Sequence, residues 1–548
     1  MKKILLSLSV ATMLLTSCTK QLDEYNPSGL TAEAVFTTPD GFEALVNAAY
    51  SYQRWWYGKE EGMNMSEMGT DLWMSAAGDV WPDLSQYVNL QGTNAAIRDE
   101  WTALYGAINL CNAGINKINQ AGLAPARKVQ REAELKFLRA FYYWHIVETW
   151  GGVHFSLDET TGIMTTANKT PVEDFYKQII SDLSFSVDNL APTTSDYGRV
   201  TKPAAMSFLA RVYLGRNMNA EASALARQVI NGGYGYTLLP NYKDLWSMSN
   251  NQNKEIVYAV NYAANLTLND IRTSQFTIGH SRGSNSAHMM FLMKYDDQPR
   301  VFRITEYGRP FNRYMPTRFL LDLYTEADGR YDASFQESWN SCTTSGGVSN
   351  PGDTALIATR KVNNGPRVIY DAAGKVLKTI YDRNTTYYAD GKVNDRLRYP
   401  SLTKHTDPTR ATFNEAQSAK DFFVIRFAEL YLIAAEAQHK LGRNDSAAYY
   451  MNFVRERAAK PGQAANMRVS ASDITLDFIL DERAREFAGE QMRWFDLKRT
   501  NTLKSRIQRY NPDVAPNIQD FHTVRPIPQS QLDEITNKSE FTQNPGYQ

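Results

Sequence analysis

Ala210-Arg211-Val212-Tyr213-Leu214-Gly215-Arg216-Asn217 and Ala437-Gln438-His439-Lys440-Leu441-Gly442-Arg443-Asn444 end on the same four residues, Leu-Gly-Arg-Asn. An apolar helical pattern precedes each, and a second follows, over Ala220–Asn231 and Ser446–Ala459. Both stretches read as helix, tight turn, helix, with glycine supplying the left-handed cap. A helix pair joined by so short a turn is antiparallel and leaves one apolar face open. Stacking the next pair on that face covers it, as in tetratricopeptide arrays. The reading is a mainly α chain, a superhelix of tetratricopeptide-like helix pairs with a large irregular region of loops and short strands.

Working outward, helix signals recur. Thr38-Pro39 is an N-cap followed by proline at the first helical position, and Phe42, Leu45, Val46 and Ala49 repeat behind it at helical spacing. A second helix is expected over Ala95 to Asn119, with Trp101, Leu104, Tyr105, Ile108 and Ile115 on one side. A third begins after Pro125, carries Leu135, Leu138 and Tyr142, and stops at Gly151-Gly152. Thr170-Pro171-Val172-Glu173 reads as a capping box opening a fourth. Residues 233–420 break the pattern. Glu255–Tyr262 alternates like a strand, and Val368–Tyr381 like a hairpin turning at Asp371-Ala372-Ala373-Gly374. Irregular insertions of this size on a helical scaffold often carry function. The helical pattern resumes at Asp421, and the chain from Thr523 is proline-rich and extended.

The start of the chain bears on location. Lys2 and Lys3 precede an apolar run from Ile4 to Leu15, then Leu15-Thr16-Ser17-Cys18. The run is too short to span a bilayer and reads as a secretory signal over 1–17. Cys18 sits where a bacterial lipoprotein precursor is cleaved, so its thiol is the expected lipid acceptor. Residues 18–36 then form a lipidated tether, 37–232 an N-terminal helical part, 233–420 the irregular insertion and 421–548 a C-terminal helical part, packed as one domain. Each buried CH₂ contributes about 0.8 kcal/mol, so several acyl chains hold such a protein to a membrane.

Lys+Arg and Asp+Glu both number 59 in 548 residues. With no net charge and no basic patch, nucleic-acid binding is not expected. The seven histidines form no HExxH pair and no CxxC occurs, so no metal site and no cofactor are expected. Cys111 lies in an apolar helical pattern and reads as a small core residue, with a disulfide to Cys342 as the alternative. Gly279-His280-Ser281-Arg282-Gly283 matches the nucleophile elbow of serine hydrolases. That elbow needs alternating strands and helices around it, which this chain lacks, so Ser281 stays a remote alternative to a non-enzyme. Glu482, Glu486 and Glu490 stand at i, i+4 and i+8 among Arg483, Arg485 and Arg493. They read as a helix-stabilising ion network rather than as paired catalytic carboxylates. Gly232-Gly233-Tyr234-Gly235 reads as a helix stop.

Aromatics invite a binding role. Trp55, Trp56 and Tyr57 are read as the end of the first helix, and Trp73, Trp81, Asp83 and Tyr87 lie in a stretch without helical period. A sugar ring presents an apolar C–H face and a rim of hydroxyls, so its binding takes a flat ring plus nearby polar groups.

The chain resembles the SusD/RagB family of nutrient-binding outer-membrane lipoproteins of Bacteroidetes. The resemblance is carried by Glu134–Tyr143 with Trp150-Gly151-Gly152-Val153, by Arg426–Leu432 with Ala434–Ala437, and by Val454–Ala458. It continues through Glu482–Phe487 with Arg493–Arg499, and Pro526-Ile527-Pro528 with Gln543–Tyr547. His154 and Gly489-Glu490-Gln491 depart from the family pattern. The resemblance implies four tetratricopeptide-like pairs, capture of an oligosaccharide at the outer-membrane surface, and a SusC-type TonB-dependent β-barrel as partner. Peptide or other nutrient binding with the same partner is the alternative. On this reading Trp73 and Trp81 form the sugar platform, with Tyr87 beside them. Asp83 and Asn94 are their polar partners, and Tyr295, Arg309 and Tyr314 form the opposite wall.

Overall fold

A computed structural model describes residues 35–263, 265, 268, 285–342 and 352–548. Cys18 and Ser281 lie outside the described residues.

Helix α1 spans Pro39–Ser51, capped by Thr38, whose hydroxyl accepts the Gly41 N–H at 3.2 Å. Then come α2 (Ala95–Lys117), α3 (Pro125–Trp150), α4 (Val172–Asn189), α5 (Lys202–Gly215) and α6 (Asn219–Asn231). After the middle region follow α7 (Phe427–Lys440), α8 (Asn444–Ala458) and α9 (Leu476–Phe487). From α2 to α8 each helix packs on the next. The irregular region leaves the stack after α6 and rejoins it at α7, and those two helices lie side by side.

The two Leu-Gly-Arg-Asn turns differ in detail. Gly442 takes the left-handed conformation (φ +74°) in the second, but in the first Asn217 does (φ +58°) while Gly215 ends α5. Asparagine is the side chain that tolerates this region best after glycine. The expected capping box at Thr170 does not form. Pro171 is the N-cap of α4, and the Thr170 N–H donates to the Val153 carbonyl instead.

The described strands of three or more residues are β1 (Trp73–Ser75), β2 (Ile256–Val260), β3 (Tyr314–Pro316), β4 (Ser338–Asn340), β5 (Thr354–Ala358), β6 (Val368–Tyr370), β7 (Val376–Tyr381) and β8 (Phe422–Arg426). β1 pairs antiparallel with β3, and β2 antiparallel with β8. The others form a sheet in the order β4-β5-β7-β6, β7 and β6 being the expected hairpin. The expected helical resumption at Asp421 is a strand first. Phe422-Phe423-Val424-Ile425 is a fully buried run that pairs with β2 before α7 begins.

One apolar cluster includes Phe42, Trp150, Met290, Tyr399 and Trp494, so the helices and the middle region share a core. Cys111 and Cys342 are free and buried, which excludes the disulfide. Among the described residues, no helix is long and apolar enough to cross a membrane.

The Glu482/Glu486/Glu490 network exists: Arg485 pairs with Glu482 (2.9 Å) within α9 as expected, and the rest of it joins separate elements. Arg426 of β8 donates to Glu255 (2.9 Å), Glu486 (2.8 Å) and Glu490 (2.7 Å). Arg330 of the middle region reaches Glu482 (2.8 Å) and Glu486 (3.0 Å), and Arg457 of α8 reaches Glu486 (2.6 Å). Both glutamates of α9 are fully buried. Burial alone would raise Glu486, but Arg457, Arg426 and Arg330 outweigh it and bring it to about 2.

Candidate functional site

The β1–β3 pair fixes where the aromatic loop meets the middle region. Trp73, Met74 and Ser75 oppose Pro316, Met315 and Tyr314. The pairing continues past the strand ends, with Ala76 N–H donating to the Arg313 carbonyl (2.9 Å) and Gly78 N–H to the Asn312 carbonyl (2.8 Å). A Cβ on Gly78 would lie 2.2 Å from the Phe311 carbonyl oxygen, so only glycine fits here. Asp79 then shapes the turn. Its Oδ1 accepts the Trp81 N–H (3.0 Å), and its Oδ2 accepts the hydroxyls of Ser75 and Ser85. The outcome is that Trp81 and Phe311 line one cleft of about 260 Å³.

Apolar and charged groups share that cleft. Val80, Trp81, Met290 and Phe311 supply apolar surface, and Lys59, Glu60, Glu61 and Arg313 supply charge. Val80 is 46% exposed and Trp81 half-buried, so the loop offers apolar surface to solvent. Arg313 pairs with Glu60 at 2.6 Å and also donates to the Gly78 carbonyl. Burial pushes the Glu60 carboxyl up to about 7 in spite of Arg313. The guanidinium carbons of Arg309 and Arg313 stand 5.1 and 5.0 Å from the Phe311 ring centre. These are cation–π distances, and they hold the ring in place. The cleft therefore combines flat rings with hydrogen-bonding groups of both signs.

Of the residues nominated from sequence, Trp81 lines the cleft, and Arg309 adjoins it through Phe311. Four nominations are corrected because the rings lack an accessible face. Trp73 is fully buried, donates from Nε1 to Glu67 (2.9 Å) and packs 4.6 Å from Phe291. Tyr87 is 3% exposed and lies against His522. Tyr295 is fully buried, with its hydroxyl on the Gly308 carbonyl. Tyr314 is fully buried, accepting from Asn64 Nδ2 (2.7 Å) and donating to the Glu60 carbonyl (3.2 Å). Asp83 and Asn94 spend their side chains on each other. Asn94 Nδ2 donates to Asp83 Oδ2 (2.8 Å), while Asn94 Oδ1 caps α2 at the Ile97 N–H (3.2 Å). Sequence reasoning missed Phe311, Arg313 and Glu60. The signal for the first two was present in Arg309-Pro310-Phe311-Asn312-Arg313, a ring between two arginines in a region without period.

The family model described as "SusD family" matches residues 254–547, and one described as "Starch-binding associating with outer membrane" matches residues 22–214. A SusD-like protein of Bacteroides ovatus is 28% identical over 533 residues, covering 91% of this chain and 82% of its own. The starch-binding protein SusD of Bacteroides thetaiotaomicron is 24% identical over 530 residues, covering 88% and 85%. A solved laminarin binding SusD-like protein superposes with a TM-score of 0.64 at 22% identity, covering 92% and 98%, which is a likeness of fold.

Proposed function

The chain belongs to the SusD family, and on that premise we propose that it captures an oligosaccharide in the Trp81–Phe311 cleft and passes it to a SusC-type TonB-dependent β-barrel. Cys18 carries the lipid that anchors it to the outer membrane, with the body at the cell surface, and no catalytic step is assigned to it. The observation that carries the glycan reading is the pairing of two accessible aromatic side chains, Trp81 and Phe311, with Arg313 and Glu60 beside them. A pyranose stacks its C–H face on a ring and hydrogen-bonds its hydroxyls to such charged neighbours. A starch-binding and a laminarin binding relative support the same ligand class.

The test is calorimetric titration of the soluble body with laminari-oligosaccharides, malto-oligosaccharides and a mixed oligopeptide panel. Saturable binding of one saccharide series is expected, weakened about ten-fold or more in Trp81→Ala and in Phe311→Ala. Peptide binding at this cleft with no saccharide binding, or saccharide binding untouched by both substitutions, would overturn the assignment.

A further inference from the structure

Helices α3, α5 and α9 and the short helix Arg493–Arg499 meet around a cavity of about 30 Å³. Arg211, Arg483 and Arg499 enter it from three of them, beside Trp144, Met492 and Phe495. A water needs about 10–15 Å³ of such space, so the cavity takes one or two atoms of that size and no sugar ring. Gly215, at the end of α5, also lines it, and a Cβ there would meet nothing within 4 Å, which gives a small solute a way in. No lining residue is shared with the Trp81–Phe311 cleft.

The polar groups of the wall are spent on protein partners, with one exception. Gln491 takes the Gly58 N–H (3.0 Å) and donates to the Trp56 carbonyl (2.9 Å). Arg211 forks onto Glu429 (2.8 and 2.7 Å), and Arg499 holds Asp496 (2.7 Å) and Glu436 (2.8 Å). Glu148 takes the Tyr176 hydroxyl and Lys498 (3.1 Å). Arg483 is the exception. Its Nε donates to Asp496 (2.7 Å), but its Nη1 is buried with no hydrogen-bond partner among the described residues. The residue is 2% exposed. A guanidinium keeps its charge and offers only donors, so this nitrogen calls for an acceptor.

The charge balance selects which acceptor. Following every ion pair from Arg483 to its end gives Arg211, Arg483, Arg499 and Lys440 against Glu429, Glu436 and Asp496, one positive charge in excess. Lys498 and Glu148 cancel as a pair. His145, behind Tyr57, is neutral because burial brings it to about 3. Glu67, behind Met492, stands outside the network, and burial pushes it up to about 7. Asp71 is already shared by Arg493 (2.6 Å) and Arg506 (2.7 Å). Buried charge is costly unless it is paired. A water would satisfy Nη1 and leave the excess charge, whereas a monoatomic anion answers both. We propose that this cavity binds one chloride-sized inorganic anion on Arg483 Nη1, which ties α9 to α3 and α5. The site does not rest on the glycan reading.

Thermal unfolding of the full mature chain in chloride, bromide and gluconate at matched ionic strength tests this. Both halides should raise the midpoint by about 2 °C and then saturate, while gluconate, too large for the cavity, should not. Arg483→Gln should abolish the halide-specific rise. Lys440, whose side chain is 19% exposed at the edge of the network, supplies the excess charge without touching the cavity. Lys440→Gln should therefore move half-saturation to roughly five-fold higher chloride. A crystal of the unaltered protein grown in bromide should show anomalous scattering beside Arg483 Nη1, a result that needs neither variant to fold. Water alone at that place, an equal rise in gluconate, or a halide response that either substitution leaves unchanged would overturn the proposal.

Discussion

Trp73→Ala and Trp81→Ala should separate completely, although the sequence nominated both rings for one platform. Trp73 is fully buried, its ring centre is 4.6 Å from that of Phe291, and its Nε1 donates to Glu67 Oε2 at 2.9 Å. Truncation removes a large ring from a core that relaxes only partly, at about 3–5 kcal/mol. It also strips a donor from a buried carboxyl, at about 1–3 kcal/mol more. The sum, about 4–8 kcal/mol, approaches the whole stability of many domains. Trp73→Phe keeps most of the volume and should show chiefly the second part. Trp81 is half-buried at the cleft and should lose under about 1 kcal/mol of stability, while glycan binding falls ten-fold or more. Urea unfolding of the three variants, with calorimetric titration of those that stay folded, measures both axes. The reasoning is refuted if Trp73→Ala unfolds like wild type, or if Trp73→Phe weakens binding as much as Trp81→Ala does.

The buried ion network makes a prediction about pH. Glu486 is brought from 4.5 to about 2, a difference on the order of 3 kcal/mol. A carboxyl with a lowered folded value stabilises above its unfolded value and loses that contribution as pH falls from about 4.5 towards 2. Glu486→Gln should therefore cost about 3–5 kcal/mol at neutral pH, because Arg426, Arg457 and Arg330 lose a shared acceptor, and should flatten the acid limb of a stability–pH curve. An unchanged acid limb would show that other groups carry it. Asn94→Ala removes the cap of α2 and should cost about 1 kcal/mol in denaturant unfolding without touching glycan affinity. A loss of affinity at unchanged stability would return Asn94 to the ligand site. Cys18→Ala should release the protein from the outer-membrane fraction or stall it as a precursor. Wild-type fractionation of that variant in cells lacking the barrel partner would defeat the lipid-anchor reading.

The helices were legible in the chain because their signals are local. Thr38-Pro39, Pro125 and Gly151 mark starts and stops within a turn of where α1 and α3 begin or end. The Leu-Gly-Arg-Asn turns mark the helix pairs in the same way, even though the left-handed residue moved from Gly215 to Asn217. Strand β8 was missed because an apolar run of four reads equally as buried strand or helix start until its partner β2, far away in sequence, is known. The site was half legible for a related reason. Aromatic content singled out residues 73–87, but an aromatic in a loop carries no mark of which way it faces. Burial is decided by what the loop packs against: Phe291 and Glu67 enclose Trp73, while Asp79 and the 311–313 segment set Trp81 at the edge of a cleft. The Glu482–Glu490 spacing was visible too, but not that arginines from β8, α8 and the middle region would converge on it. Periodicity and capping act over a few residues and can be read in line. Exposure and charge pairing are properties of surfaces that exist only once distant segments have met.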